Sequence, residues 1–548
     1  MSAPPERDSS RRIVWLAAVL ITAAIVGLHF YLWFHAGGLW RDEVQIVNLS
    51  GSRSLLEMTH DSFPLLMPLL VRGWCLLGLG HSDLALRLLG TLIGLAMVAV
   101  LWLAAWTARR SPPLLSLLLL ALNTRLIFYG DSLRAYGLGS MLIALTTGSA
   151  WAFLEKNTWR RAVLFALAAL LSVQALFQNA VLVAAVCFGA WTICWQRKNL
   201  AAALKILVAA IVAAAALLPY WTRLASLPAN SVSLRSGFSP LTASNRFIEA
   251  LGSPFAPFAS MWVAGVFVLT GLTAVNLLAR KQADAGSTCG PSNGNWSLFA
   301  GTTMLAALAG YAGFLWFAAV PTEPWYFLPL MAVIAVCFEI GLPLARLPTQ
   351  FRPLAPGVLA LIGLVAIPAA RQDLNRRFTN VDILAHWLQA HASPEDCVVV
   401  VPWQCGISFN RYYDAEMAWQ TLPPLADHAR HRYDLVQLTM RAPDALQPVY
   451  EKIRQALQSG HRVWILGTIR VPKNSTPAAD DSLPAPRAYA GSSDTAYTAA
   501  IGSQLAGFLA GHSTQIEPAG PPAKQPVNSY EDLDLLVATG WRTSPAKP

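Results

Sequence analysis

The chain has 548 residues, 55% of them hydrophobic and only 13% charged, with a mean hydropathy of +0.45. A soluble domain carries about 25% charged residues, so a wholly soluble protein is excluded. The net charge of +10 sits in residues 1–370, which hold 24 Lys and Arg against 13 Asp and Glu, whereas residues 371–548 hold 16 against 17. That balance suits a membrane protein with basic loops rather than a nucleic-acid binder with a basic surface.

The first apolar run, Ile13 to Phe34, follows Arg7, Arg11 and Arg12. It is longer than a signal-peptide core and lacks a small-x-small cleavage site, so it reads as a retained helix with a cytoplasmic N-terminus. Pro64–Gly80 is apolar but short and interrupted by Arg72, which predicts a helix lying at the interface. Further runs at 84–106, 112–129, 133–154, 162–178, 180–195, 203–220, 259–279, 297–318, 327–345 and 354–370 are read as crossing segments. The expected architecture is therefore a polytopic α-helical membrane protein of about 11 transmembrane helices. An odd count places residues 371–548 on the face opposite the N-terminus.

Loop charges agree with this topology. The loops assigned inside carry Arg109/Arg110, Lys156/Arg160/Arg161, Arg197/Lys198/Lys205, Arg280/Lys281 and Arg346/Arg352. The external segments (35–83, 129–136 and 221–258 among them) contain no lysine, yet carry Arg41, Arg53, Arg72, Arg87, Arg125, Arg134, Arg223, Arg235 and Arg246. Topology does not ask for cations there. The planar guanidinium binds phosphate oxygens at two points, so some of these arginines suggest a phosphate-bearing ligand, and others suit side chains reaching for the interface.

After residue 370 the pattern changes. Val381–Ala392 is amphipathic at helical spacing, Cys397–Val401 and Arg462–Leu466 read as strands, Leu446–Leu457 reads as a helix, and Leu533–Val537 returns to the fold. A small extracytoplasmic α/β domain over 371–548 is expected, with a Pro-, Ala- and Ser-rich segment at 472–527 that looks extended. The seven cysteines form no CxxC. Cys397 and Cys405 lie across a predicted strand and turn, a placement that does not favour a disulfide.

Polar residues of chemical interest collect on the external side. Trp40-Arg41-Asp42-Glu43 follows the first span, and on a helix its two carboxylates point about 100° apart, so one can act while the other positions. His60-Asp61 precedes Pro64. Asp83 and Arg87 stand four apart at the start of the second span, the spacing of an ordinary helical ion pair. Tyr129, Asp131, Arg134 and Tyr136 crowd one short turn, and Glu323 sits between two prolines ahead of Trp325 and Tyr326. No phosphate-cradling glycine loop is present, which argues against a nucleotide-driven pump.

At these residues the chain resembles the GT-C membrane glycosyltransferases, in particular the protein O-mannosyltransferases and the lipid A aminoarabinose transferases. The family's acidic pair in the first external loop is matched by Asp42-Glu43. Its interfacial Pro-Leu helix is matched by His60-Asp61-x-x-Pro64-Leu65-Leu66. The Ser-x-x-x-x-Arg-Leu entry to the second span is matched by Ser82 to Arg87-Leu88, and the Tyr-x-x-x-x-Arg-x-Tyr turn by Tyr129 to Arg134-Ala-Tyr136. The likeness is good over residues 1–160, looser to about 370, and faint beyond. The turn lacks the family's proline and spaces acid and arginine differently, and a single Pro64 replaces the usual pair, so no relative's substrate is carried over.

The resemblance implies transfer of a sugar from a polyprenyl-phosphate carrier to a lipid, glycan or protein acceptor on the outer face of the cytoplasmic (inner) membrane, with inversion. On that basis Asp42 is assigned as the base that takes the acceptor proton and Glu43 as its orienting partner. Arg134 and Arg87 are assigned to the donor phosphate, and Arg41, His60, Asp61, Tyr129, Asp131, Tyr136 and Glu323 to the lining. No cofactor is established; two adjacent carboxylates without a third ligand leave a divalent cation open. No nucleic-acid partner is expected. A multi-pass transporter or flippase of a lipid-linked phosphate is the alternative, and it should show ionisable groups deep in the bundle, where Glu339 is the one acid well inside a span.

Overall fold

The computed structural model describes residues 6–59, 63–109, 111–221, 239–283, 294–318, 322–342, 354–415, 417–440, 442, 444–469 and 494–542. His60 and Asp61, residues 222–238 of the 221–258 loop, including Arg223 and Arg235, and Arg346 and Arg352, expected in an inner loop, lie outside these.

Among the described residues nine helices are long and apolar enough to cross a membrane, the first being Arg12–His35 and the last Leu354–Leu374. The protein is a multi-pass membrane protein. The two other expected crossings exist as shorter pieces. Trp159–Ala175 is a single 17-residue helix with Leu164, Leu167 and Leu171 exposed along it. The 112–129 run breaks into Leu114–Ser116, a wide turn over Leu117–Ala121, and Thr124–Gly130. Asn123 causes that break: its side chain accepts the backbone N–H groups of Arg125 and Leu126, which starts a new helix.

Four elements place the site. Helix α1 (Glu6–His35) crosses and delivers the chain to α2 (Arg41–Ser50). The apolar helix α3 (Leu66–Trp74) continues as a wider coil to Leu79 and exposes Leu69, Leu70, Leu76 and Leu77, as an interfacial segment should. Helix α4 (Asp83–Arg109) then returns through the bundle. Its Gly90 and Gly94 lie against the Asp131 turn so closely that a Cβ at Gly90 would stand 1.9 Å from the Asp131 carbonyl oxygen. At the opposite end of the bundle the basic loops meet, with Lys205 donating to Asn157 and Arg197 to the Leu154 carbonyl. The bundle therefore has a basic end and an end that carries α2, the Asp131 turn and the tail.

The tail folds on a five-stranded sheet of order β2-β1-β3-β5-β4: β1 Cys397–Val401, β2 Trp419–Thr421, β3 Val463–Gly467, β4 Ser513–Ala519 and β5 Leu535–Trp541. β1 runs parallel to both neighbours, whereas β5 is antiparallel to β3 and β4. Alternation along β1 separates two cores. Val399 and Val401 pack under helices 447–458 and 494–512, and Val398 and Val400 pack under helices 381–391 and 406–412. The segment read as extended over 472–527 thus contains a 19-residue helix and β4, because Tyr497, Ile501, Leu505 and Leu509 repeat at helical spacing and cover the sheet; residues 472–493 lie outside the described set. Cys397 and Cys405 are buried free thiols.

Candidate functional site

The acidic pair sits in the first turn of α2, where the helix dipole favours negative charge. Being adjacent on a helix, the two carboxylates diverge, and their surroundings divide the labour. Glu43 turns inward and is fully buried. It accepts two bonds from the Arg87 guanidinium (3.0 and 2.9 Å), the Leu133 N–H (3.0 Å) and the Trp40 N–H (3.3 Å). Burial pushes this carboxyl up, against the pull of Arg87 and the two backbone donors.

Arg87 is spent in the same network. Besides Glu43 it donates to the carbonyls of Gly37 (3.2 Å) and Gly38 (2.6 Å), which pins the link between α1 and α2. Its expected helical partner is elsewhere. Asp83 takes Arg411 (2.7 Å) and the Tyr412 hydroxyl (2.6 Å) from the tail, and so α4 is tied to the sheet domain. The Asp83–Arg87 ion pair does not form because each residue has a closer partner off the helix. With both faces of its guanidinium fork occupied, Arg87 supports Glu43 rather than a ligand.

Asp42 points the other way. Its Oδ2 stands 2.5 Å from Arg134 Nη1, and its Oδ1 stands 3.5 Å from His431 Nε2. Both Asp42 and Arg134 keep a partly open surface, 15% and 12% exposed. Burial would push the Asp42 carboxyl up, but Arg134, His431 and Arg41 outweigh it and hold the group below the usual carboxylate range. The Arg134 guanidinium is walled by Tyr136 (5.0 Å), Phe63 (5.2 Å) and Trp40 (5.7 Å), distances at which aromatic faces attract a cation. Arg134 owes its place to Glu43, because the Leu133 N–H bond fixes the residue just before it.

The other lining candidates scatter. Asp131 turns into the bundle and pairs with His29 of α1 (2.7 Å), away from Arg134. Arg41 points into the tail, donating to the Tyr530 carbonyl (2.6 Å) and lying 3.6 Å from Glu531. Tyr129 is buried in an aromatic run with Trp40, Trp325 and Tyr530. Glu323 accepts from the Tyr530 hydroxyl (2.5 Å) and neighbours Arg246 (3.7 Å), which pairs with Glu249 (3.0 Å), also the partner of Arg125. Asp42, Arg134 and Tyr136 come together; Glu323 and Tyr129 form an adjoining wall; Asp131, Arg41 and Arg87 do other work.

Among the described residues no three His, Cys, Asp or Glu side chains gather to hold a metal ion. The donor set does not fit one at Asp42 and Glu43 either, since each carboxylate faces a different arginine.

Sequence reasoning missed four residues. His431 approaches Asp42 from the tail, Gln45 binds His431, and Tyr530 and Glu531 anchor Glu323 and Arg41. The only local signal was the run His428-Ala-Arg-His431-Arg432, and nothing in its spacing points to a residue almost 400 positions earlier.

No protein-family model matches the chain, and no curated protein matches it. In backbone it is similar to GT-C glycosyltransferases of known structure. ArnT from Cupriavidus metallidurans, solved bound to undecaprenyl phosphate, is 12% identical with a TM-score of 0.46, over 82% of this chain and 92% of that one. The Archaeoglobus fulgidus oligosaccharyltransferase, in a complex with zinc and sulfate, is 12% identical with a TM-score of 0.48, over 82% and 67%. The arabinofuranosyltransferase AftD from Mycobacteria is 15% identical with a TM-score of 0.39, over 98% of this chain and 40% of that one.

Proposed function

We propose that this protein transfers a sugar from a polyprenyl-phosphate carrier to an acceptor hydroxyl at the outer face of the cytoplasmic membrane. The observation that carries the reading is the Asp42–Arg134 pair: an ionised carboxylate 2.5 Å from a guanidinium caged by aromatic rings, both partly open, at the bundle end that holds the tail. The motif resemblance at Asp42-Glu43 and Tyr129–Tyr136 supports the same assignment.

The chemistry follows from charge. A carrier whose tail lies in the bilayer presents its phosphate at the interface, beside the exposed leucines of α3. Arg134 compensates the phosphate charge as the C–O bond to the sugar breaks. Asp42 takes the acceptor proton as the hydroxyl attacks the anomeric carbon from the opposite side, a single displacement with inversion. Glu43, held by Arg87, keeps the Leu133–Arg134 turn in register with α2. Of the ionisable groups a transporter should hold at depth, Glu339 receives the Ser116 N–H and hydroxyl near a helix end, and Asp131 pairs with His29 through Oδ2 while its buried Oδ1 has no partner.

The test is mass analysis of surface glycans and glycolipids from cells with the gene, without it, and with Asp42→Asn. One missing sugar in both the deletion and the variant identifies donor and acceptor together. Identical profiles in all three would remove the enzyme reading.

A further inference from the structure

His431 is brought to the acidic pair by the tail and has a fixed proton position. Gln45 of α2 presents one side-chain atom to both the His431 backbone N–H (2.9 Å) and the ring Nδ1 (2.5 Å). A backbone N–H can only donate, so that Gln45 atom is the amide oxygen. The same oxygen therefore requires a hydrogen on Nδ1. In the neutral ring Nε2 is then bare, and it faces Asp42 Oδ1 at 3.5 Å. Trp403 (5.9 Å, edge-on) and Tyr433 (5.8 Å, stacked) hold the plane of the ring. Two acceptors thus confront each other with room for one proton between them.

The charged and titratable groups around the ring are Asp42, Arg41, Arg134 and Tyr433. Burial pulls the imidazole down to about 4; Asp42 opposes this, and Arg41 and Arg134 reinforce it. Asp42 is itself held low by Arg134, His431 and Arg41 against the effect of burial. The resting slot at neutral pH is therefore carboxylate against neutral ring, without the shared proton.

We propose that His431 receives, through Asp42, the proton removed from the acceptor hydroxyl. This rests on the transfer reaction above. As the acceptor oxygen bonds to the anomeric carbon, its O–H electrons remain on oxygen and the proton goes to Asp42. The sugar–phosphate C–O bond breaks with its electrons leaving on the lipid phosphate. Asp42 then passes the proton across 3.5 Å to Nε2, giving an imidazolium whose two N–H groups face Gln45 and Asp42. Water takes that proton when product leaves, and the carboxylate is restored. His431 thus acts through Asp42, and the tail completes a site otherwise built by the membrane domain.

Two measurements test this on the full chain in detergent micelles. In 15N-histidine NMR, with His431 assigned by its absence in His431→Gln, the neutral ring should carry its hydrogen on Nδ1. Asp42→Asn should lower the midpoint of ring protonation by one pH unit or more. A neutral ring protonated on Nε2, or a midpoint indifferent to Asp42, overturns the proposal. With the polyprenyl-linked sugars of a native membrane extract as donor, His431→Gln should slow transfer tenfold or more and move the acid limb of the pH–rate profile to higher pH, because His431 no longer helps to hold Asp42 low. Gln45→Leu should slow it too, by freeing the tautomer. An acid limb that stays in place in His431→Gln shows a merely structural histidine. Failure of the wild-type chain to transfer any sugar would count against the enzyme reading itself, while the NMR titration still decides whether the pair shares a proton.

Discussion

Arg87 and Glu43 form a two-point ion pair in which neither side chain is more than 4% exposed. The pair joins α4 to α2, and through Leu133 it also sets the turn that carries Arg134. Removing one partner leaves the other charged, buried and unmatched, which typically destabilises by about 3–5 kcal/mol. Glu43→Leu and Arg87→Met should each lower folded yield and melting temperature in detergent. The double variant should recover much of the loss. Single variants that melt like wild type would refute this structural role.

Asp42 behaves oppositely in the same turn of helix. It keeps an open edge, so Asp42→Asn should insert, accumulate and melt much as wild type does. Sugar transfer should fall by about 10²–10⁴, the usual contribution of a general base. Arg134→Gln should lose about 10²–10³, the effect of removing one donor to developing negative charge, and Arg134→Lys should recover only part because the fork is lost. Transfer assays on matched amounts of folded protein measure all three. Full activity in Asp42→Asn would mean that another group takes the proton.

The division between these two acids shows what the sequence could reveal. That Asp42 and Glu43 point to different neighbours follows from helical geometry. The helices from Arg12–His35 to Leu354–Leu374 were readable because burial in lipid demands long apolar runs, and Cys397–Val401 and Val463–Gly467 were readable because central strands are continuously apolar. Partner choice was not. Arg87 prefers Glu43, 44 positions away, to Asp83, and Asp83 prefers Arg411 and Tyr412, more than 300 positions away, because folding brings these residues closer than the next helical turn. His431 was invisible for the same reason. The break at Asn123 was written in a single capping residue inside a leucine-rich run, where hydropathy alone reads a continuous span.

Close backbone approach gives a third expectation. A methyl group at Gly90 would meet the Asp131 carbonyl oxygen at 1.9 Å and its carbon at 2.7 Å. Backbone cannot swing aside as a side chain can, so Gly90→Ala should displace the turn that ends in Arg134. Overpacking of this kind destabilises by about 1–3 kcal/mol. Transfer should fall tenfold or more while the protein still inserts. Gly73→Ala, whose added methyl group meets nothing within 4 Å, is the control and should be silent. Equal activity in the two variants would show that the turn tolerates the shift.

The tail's attachment should depend on pH through Glu531. This carboxyl is fully buried, accepts from the Arg41 N–H (3.0 Å) and the Thr379 hydroxyl (2.9 Å), and is pushed up to about 7 by burial despite the Arg41 guanidinium. Its ordinary value is 4.5, so between 4.5 and 7 the folded state binds more protons than the unfolded state. The stabilisation from the protonated form is complete below about 4.5 and is lost as pH rises through 7. A shift of this size corresponds to roughly 3 kcal/mol. Wild type should therefore lose melting temperature from pH 5 to pH 8 more steeply than Glu531→Gln, in which a neutral amide replaces the acid at every pH. The difference between the two slopes is the readout, since other groups titrate equally in both. Parallel slopes would mean that Glu531 stays ionised in the folded protein, with Arg41 compensating its charge completely.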